Sequence, residues 1–157
     1  MSMDKSIGSA SVRLSKKMTR IVNLYLRSYH LTTEQWVVLR ALHEIDGITQ
    51  KELSHRTDKD QATLTKILDL VEKRKAVIRV ANPRDRRSFL IKITDQGREL
   101  VEELTPYIEE IFIRMVAGIK PEKLEVYQEV LGLLESNIEQ LLEQTDLERR
   151  NKSDRNI

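Results

Sequence analysis

The 157-residue chain is long enough for one domain with a real core, or for two small lobes. It contains no cysteine, which excludes disulfides, thiolate metal sites and cysteine-based redox sensing by this chain. The overall charge of +2 hides a contrast, because residues 48–98 hold 13 Lys and Arg against 7 Asp and Glu, whereas residues 99–148 hold 3 against 13. A basic module beside an acidic one indicates a nucleic-acid surface on a separate scaffold.

The sequence predicts where in the cell the protein is located. Residues 1–10 are polar and lack a hydrophobic signal core, and no apolar run approaches the roughly 20 residues that span a bilayer. We therefore expect a soluble, cytoplasmic protein without a membrane partner. Residues 147–157 have no apolar face, and we expect them to form a flexible tail.

Helix-start signals are clear in the first half of the chain. Thr32-Thr33-Glu34-Gln35 and Thr49-Gln50-Lys51-Glu52 are capping boxes, and Asp58 with Gln61 gives a looser third start. With the apolar positions of the first 30 residues, these signals predict helices at about 7–29, 33–45, 49–56 and 59–74.

The pattern changes after Lys75. Residues 76–80 and 88–93 alternate and are rich in β-branched side chains, and a Pro-containing turn separates them, which predicts a β-hairpin. Thr94 or Asp95 then caps a helix at about 95–117, which Pro106 should kink or restart. Pro121 suits the first turn of a final helix.

The final helix carries an apolar seam with spacings of three and four residues. Its members are Leu124, Tyr127, Leu131, Leu134, Ile138 and Leu141. Such a seam packs against another helix, either the helix at 95–117 of the same chain or a second copy. The amount of apolar surface on the two terminal helical regions favours a homodimer.

These elements predict a mainly α fold with a small antiparallel β-hairpin. The arrangement is a winged helix-turn-helix flanked by N- and C-terminal dimerisation helices. The expected boundaries are an N-terminal dimerisation helix at 1–30, a DNA-binding domain at 31–97, C-terminal dimerisation helices at 98–146 and the tail at 147–157.

The helix at 59–74 is the expected recognition helix. Leu64, Ile67, Leu68 and Val71 form its buried stripe, and its opposite face is short, polar and basic. A helix of this kind fits a major groove, where polar side chains meet base edges. The candidate DNA-binding residues in the helix-turn-helix are Thr49, Lys59, Gln61, Ala62, Thr63, Thr65 and Lys66. An ordinary solvated face is the alternative.

The hairpin loop crowds Arg84, Arg86 and Arg87 around Asp85. Like charges this close are unfavourable unless an anion or a local carboxylate offsets them. We expect Asp85 to pair with one arginine and to aim its neighbour, and a projecting arginine to enter a narrow minor groove. A solubilising turn is the alternative.

Over roughly residues 10–145 the sequence resembles the MarR family of bacterial transcriptional regulators. Leu31 to Leu39 is similar to the opening of the family's second helix, and Asp58 to Lys66 resembles its recognition helix. Asp85-Arg86-Arg87 followed by Ile93-Thr94-Asp95-Gln96-Gly97 matches the family's Asp-x-Arg … Leu-Thr-x-x-Gly pattern, with Ile93 in place of Leu. The family often has glycine between recognition helix and first strand, where this chain has Lys73-Arg74-Lys75-Ala76.

The resemblance implies a homodimer that presents two winged helices to a near-palindromic operator in double-stranded DNA. It implies that Arg87 enters the minor groove and that Asp85 orients the wing. Family members are commonly repressors that small phenolic or other ligands release. Met18, Tyr25, Tyr29, His30 and Trp36 cluster in the sequence near the first helix junction and could line such a ligand pocket, or simply the core.

Three other readings have weaker support. The chain lacks a nucleophile elbow, a phosphate-binding glycine loop and a zinc-protease pattern, so we expect no enzyme and no cofactor. A winged helix used for protein contacts would present an apolar face, and this face is basic. His30, His43 and His55 are scattered, so no metal site is predicted, although a metal-responsive regulator stays open.

Overall fold

A computed structural model describes the backbone of residues 2–154 and the side chains of residues 2–149. The helices and strands are α1 (Ser9–Leu26), α2 (Thr33–Glu44), β1 (Ile48–Thr49), α3 (Gln50–Thr57), α4 (Gln61–Lys73), β2 (Val77–Ala81), β3 (Phe89–Ile93), α5 (Asp95–Met115) and α6 (Pro121–Asp154). A π-helical turn precedes α1 and a 3₁₀ turn follows it. The chain divides into two compact units, one ending at Ile113 and the other starting at Arg114.

The first unit is built around one apolar core. Leu64, Leu68 and Val71 of α4 are fully buried, and Ile67 is 7% exposed, so the predicted stripe of this helix is confirmed. Burying each such side chain stabilises the fold by about 1.5–3 kcal/mol. Further fully buried side chains from the preceding helices and the sheet are Leu26, Val38, Leu39, Leu42, Leu53 and Ile91.

Both predicted capping boxes are present. The Thr32 hydroxyl accepts from the Gln35 amide at 3.2 Å, and the Gln35 side chain accepts from the Thr32 amide at 3.1 Å. Thr49 and Glu52 repeat the exchange at the start of α3. The hydrogen bonds from the Thr49 backbone and side chain hold the pKa of the Glu52 carboxyl below its usual value.

The start of α4 differs from the sequence-based prediction. Asp58 does not cap this helix; it ends α3 in a left-handed conformation with φ 48°. Asp60 is the N-cap, since its carboxylate accepts from the Thr63 amide at 2.8 Å, and α4 begins at Gln61. Both aspartates favour helix ends, so the tight turn between α3 and α4 decided which one caps which helix.

The predicted hairpin is present but belongs to a three-stranded antiparallel sheet of order β1-β3-β2. Val77 faces Ile93 and Arg79 faces Ile91 in the hairpin, while Ile48 of β1 pairs with Ile91 on the other edge. The prediction of a mainly helical chain with a small antiparallel sheet is confirmed. Strand β1, which the sequence did not predict, has only two residues, and this is too few for an alternating pattern to be visible.

The missing glycine after α4 is replaced by Lys75 in a left-handed conformation, with φ 59°. The Ala76 amide donates to the Val71 carbonyl and the Lys75 amide to Glu72, which is the Schellman ending of a helix. Gly97 packs against this turn, because a Cβ there would lie 2.2 Å from the Ala76 carbonyl oxygen. Glycine is therefore required at the start of α5 by close approach rather than by its backbone angles.

Helix α5 runs through Pro106 without a break, so the expected restart at this proline is wrong. Thr94 caps the helix, accepting from the Gly97 amide at 3.1 Å. The proline removes one backbone donor from the helix but does not end it.

The second unit contains α6, which continues to Asp154 and so extends into the segment expected to be a flexible tail. Leu, Glu and Arg favour a helix even without an apolar face. The last residues of that predicted tail, 155–157, lie outside the described residues. Of the helices that are described, none has both the length and the apolar character needed to cross a bilayer.

Candidate nucleic-acid interface

The N-terminal part of α4 presents a free polar surface. Gln61, Ala62 and Lys66 are exposed, and their side chains make no hydrogen bond or ion pair with another described residue. Ala62 and Lys66 lie one turn apart on the same face of the helix, and Gln61 is exposed at the first position of the helix. An uncommitted carboxamide and an ammonium group beside a small alanine can approach base edges closely.

The two threonines beside this face are already engaged. The Thr63 hydroxyl donates to Asp60 at 2.6 Å, and that bond is the main cause of a lowered pKa at the Asp60 carboxyl. The Thr65 hydroxyl donates to the Gln61 carbonyl at 2.7 Å and accepts from the Gln50 side chain at 2.7 Å. Both side chains are exposed, and only their methyl groups are left without a polar partner.

Two other predicted residues serve the fold in this structure. Lys59 is only 13% exposed and its ammonium pairs with the Glu34 carboxylate of α2, so it does not lie on the free face of α4. The Thr49 hydroxyl is bound in the capping box of α3. The predicted recognition helix at 59–74 included Lys59, whereas α4 begins only at Gln61.

The wing loop, residues 82–88, has a backbone fixed by its own side chains. The Asn82 side chain accepts from the Arg84 amide at 3.0 Å and donates to the Ser88 hydroxyl at 2.9 Å. The Asp85 carboxylate accepts from the Arg87 amide at 3.0 Å. Asn and Asp side chains that bond an amide two residues later stabilise tight turns, so the loop is held without help from an arginine side chain.

The three arginines of the wing are all exposed. Within the described part of the chain, no carboxylate pairs with the guanidinium groups of Arg84, Arg86 or Arg87. The expected ion pair between Asp85 and one of them is absent, because Asp85 uses its carboxylate on a backbone amide. The three cations thus share a short loop with their charge uncompensated locally, which favours an anionic partner.

Sequence reasoning missed two residues behind this surface. Gln50 joins α3 to α4 through Gln61 and Thr65. Arg79 of β2 reaches α4 and bonds both Asp69 and Glu72. Neither residue stands out in a single sequence, because a lone Gln at a helix start and a lone Arg in a strand normally face solvent.

The predicted ligand cluster is not assembled as one cavity. Trp36 is 4% exposed in the core, Tyr25 is 41% exposed, and the Tyr29 ring packs beside Tyr107 with 6.3 Å between centroids. Met18 is half-buried. A groove of about 1030 Å³ lies between α1 and α2, and its lining includes His30 but none of the other four predicted residues. Most of the residues that line this groove are polar or charged, and none is Phe, Tyr or Trp.

No metal site emerges from the described residues, among which no three His, Cys, Asp or Glu side chains are grouped closely enough to hold an ion. His43 instead lies 3.5 Å from the Glu102 carboxylate of α5.

Helix α6 carries exposed apolar side chains along its length. In the predicted seam Tyr127, Leu131, Ile138 and Leu141 are 38–61% exposed, and Leu124 and Leu134 are half-buried. Val126, Val130, Leu133 and Leu142, outside the seam, are also exposed. The apolar surface of this helix is therefore broader than the spacing pattern predicted.

The fold and the free basic surface define a winged helix-turn-helix protein. Residues 31–89, from the start of α2 to the start of β3, match the model of the MarR family. This winged-helix segment of the chain therefore belongs to the MarR family. Members are transcriptional regulators and not enzymes, so the two sequence-based conclusions, a DNA-binding regulator and no enzyme, are confirmed.

Several solved structures are similar over most of the chain. A complex of MepR from S. aureus with DNA is 24% identical, covers 83% of this chain and 97% of its own, and has a TM-score of 0.78. BpsR from Bordetella bronchiseptica, whose DNA binding is regulated by 6-hydroxynicotinic acid, is 28% identical, with coverages of 83% and 98% and a TM-score of 0.77. A Listeria innocua protein of unknown function is 30% identical, with coverages of 85% and 93% and a TM-score of 0.65.

Proposed function

We propose that this protein binds a near-palindromic operator as a homodimer and represses transcription until a small ligand releases it. In each protomer, α4 lies in the major groove and the wing loop enters the adjacent minor groove. The observation that carries the proposal is the pairing of a free polar face on α4 with three uncompensated arginines on the wing. Both surfaces match the chemistry of the groove assigned to them.

The division of roles follows from the geometry. Gln61, Ala62 and Lys66 offer free groups or close approach to base edges, and so determine selectivity. Arg87 supplies affinity, because Asp85 fixes its backbone amide while its side chain remains free. Arg84 and Arg86 contact phosphates or the same groove, and Thr49, Thr63 and Thr65 support the helix-turn-helix near the DNA backbone.

Dimerisation is proposed from the apolar side chains that a single copy leaves exposed. α6 exposes most of its predicted seam, and α1 exposes Val12, Leu14 and Leu24 at 45–56%. Monomeric proteins rarely expose so much contiguous apolar surface, and two-fold pairing is the commonest way to cover it. A two-fold pair also presents its recognition helices to half-sites about one helical turn apart.

The proposal keeps the domain boundaries expected from the sequence, with residues 31–97 binding DNA and residues 1–30 and 98–146 forming the dimer. Release by a ligand is supported by the similarity to BpsR, whose DNA binding a small aromatic acid regulates. The alternative, a winged helix that binds proteins without DNA specificity, lacks an exposed apolar face on α4 at the predicted reading positions.

Selection of bound fragments from a random duplex pool tests the proposal directly. We expect one enriched, near-palindromic motif, and an affinity for it that falls steeply with salt, with a slope of about −0.9 for each phosphate contacted. Candidate aromatic acids are then screened for release of the motif. Recovery of an unenriched pool, or an affinity that does not respond to salt, would show that the winged helix serves another kind of partner.

A further inference from the structure

Arg79 links the recognition helix to the wing. It lies on β2, opposite Ile91, on the sheet face that packs against the helices. Its Nη2 atom lies 2.7 Å from an Asp69 carboxylate oxygen, and its Nη1 atom bonds the Glu72 carboxylate. The Arg79 side chain is 22% exposed, unlike the exposed arginines of the wing loop. Its guanidinium is therefore committed to α4.

The two carboxylates suit one guanidinium. Asp69 and Glu72 are three residues apart on α4 and so lie on the same side of the helix. A planar guanidinium presents several donors in a fixed fork and can bond both groups at once, whereas a lysine ammonium is a flexible point charge. The sequence positions on helix and strand thus specify an arginine rather than any cation.

No second polar contact among the described residues joins α4 to the hairpin nearer the tip of the wing. Among the described residues, Arg79 makes the only side-chain hydrogen bonds or ion pairs that join α4 to β2, β3 or the loop between them. The polar contacts of residues 82–88 stay within the loop. The angle between the recognition helix and the wing is therefore held by Arg79 together with the apolar packing at the base of the hairpin.

The bridge also neutralises acidic groups at a sensitive place. Asp69 and Glu72 are 53% and 38% exposed and belong to a helix that must approach phosphates. Uncompensated carboxylates there would oppose DNA binding, because like charges repel strongly at close range and moderate salt. Arg79 supplies a compensating positive charge and does not itself need to contact DNA.

We propose that Arg79 is a positioning residue for DNA binding, which sets the wing relative to the recognition helix by bridging Asp69 and Glu72. The inference rests on the proposed function, since it requires α4 and the wing to engage DNA together. Its effect on overall stability is small, because partly exposed ion pairs contribute little to folding. Its effect on operator binding is large, because two grooves must be reached at once.

The first test replaces Arg79 with Met, which keeps much of the apolar stem and removes the charge. We expect operator binding to weaken by about tenfold to a hundredfold, while binding to unrelated duplex DNA changes by less than about threefold. Arg40→Met is the matched control, because Arg40 forms an exposed ion pair with Glu44 within α2. It removes the same charge and should leave the ratio of operator to unrelated binding unchanged.

The second test measures coupling to the wing. If Arg79 positions the wing, Arg87→Ala should cost at least about fivefold less in the Arg79→Met background than in the parent, because the wing is already misplaced. Independent effects that multiply would contradict the proposal. Melting temperatures of all variants identify any loss that comes from unfolding.

The third test removes the carboxylates and keeps the arginine. Asp69→Asn with Glu72→Gln should lower the ratio of operator to unrelated binding, as Arg79→Met does. If Arg79 were instead a phosphate contact restrained by the acids, this double variant would bind all DNA more tightly with its selectivity retained. That result, or an Arg79→Met variant equal to the parent, would overturn the inference. Failure of the parent itself to select an operator would count against the proposed function instead.

Discussion

The wing loop and helix α6 each expose side chains without a partner, but the chemistry that they expose is opposite. The wing presents three guanidinium groups on a backbone fixed by Asn82 and Asp85. Helix α6 presents leucine, valine, isoleucine and tyrosine side chains along much of its described length. Exposed cations that crowd together favour an anionic partner, whereas exposed aliphatic side chains favour another apolar helix.

We therefore expect DNA binding to depend on the apolar surface of α6, but not the reverse. In the proposed homodimer, pairing of copies through α6 needs no DNA, because burial of apolar area would drive it. Tight DNA binding needs pairing, because one protomer reaches only one half-site. Damage to α6 should therefore abolish both properties, and damage to the wing should abolish only the second.

The largest effect is expected from Leu131→Asp with Leu134→Asp. Two carboxylates in the α6 seam cannot be buried without a severe desolvation cost, so the variant should be monomeric and should lose tight operator binding. Light scattering and operator titration measure the two properties. Gln128→Asp with Ser136→Asp adds the same charge on the polar side of α6 and should remain dimeric. A dimeric seam variant would show that the interface lies elsewhere.

The next largest effect is expected from Arg87→Ala. A good arginine contact in a narrow groove contributes roughly 1–3 kcal/mol, and a symmetric dimer loses it twice. Operator affinity should fall by about two to four decades, with dimerisation and melting temperature unchanged. Arg40→Ala, which removes an arginine outside the wing, is the control. If the Arg87 variant bound the operator with parental affinity, the wing would be a solvated turn that contributes nothing to binding.

A smaller effect, but one on selectivity, is expected from Lys66→Ala. Its free ammonium lies near the start of α4, where recognition helices contact bases. Affinity should fall by about tenfold to a hundredfold, and the ranking of operator mutants should change. Lys73→Ala removes the same charge from the end of α4 and should weaken all operators alike. If the ranking of operator mutants were unchanged in the Lys66 variant, this lysine would contact a phosphate rather than a base.

The smallest effect is expected from Asp85→Ala, which removes the hydrogen bond to the Arg87 amide. The wing should be less ordered and the operator affinity about three- to tenfold weaker, the size of one hydrogen bond. Asp85→Asn retains an acceptor oxygen and should bind nearly like the parent. If the Asn variant were as weak as the Ala variant, the carboxylate charge rather than the turn would be responsible.

Features that depend on neighbours along the chain could be predicted from the sequence alone. Capping boxes at Thr32 and Thr49, the buried stripe of α4 and the hairpin are local patterns of three to four residues or of strict alternation. All of them are present in the structure. The position of the wing arginines in a loop followed from the same local signals.

Which polar groups are free could not be predicted from the sequence, because it depends on how the helices and strands pack together. Lys59 looked like a DNA contact until Glu34, distant in sequence, was seen to pair with it. The sequence places Arg79 in a strand but does not show that Asp69 and Glu72 of α4 lie beside it. Asp85 turned out to bond an amide instead of an arginine. A side chain's partner depends on which elements pack together, and this packing is set by the burial of the whole core, which no local pattern encodes.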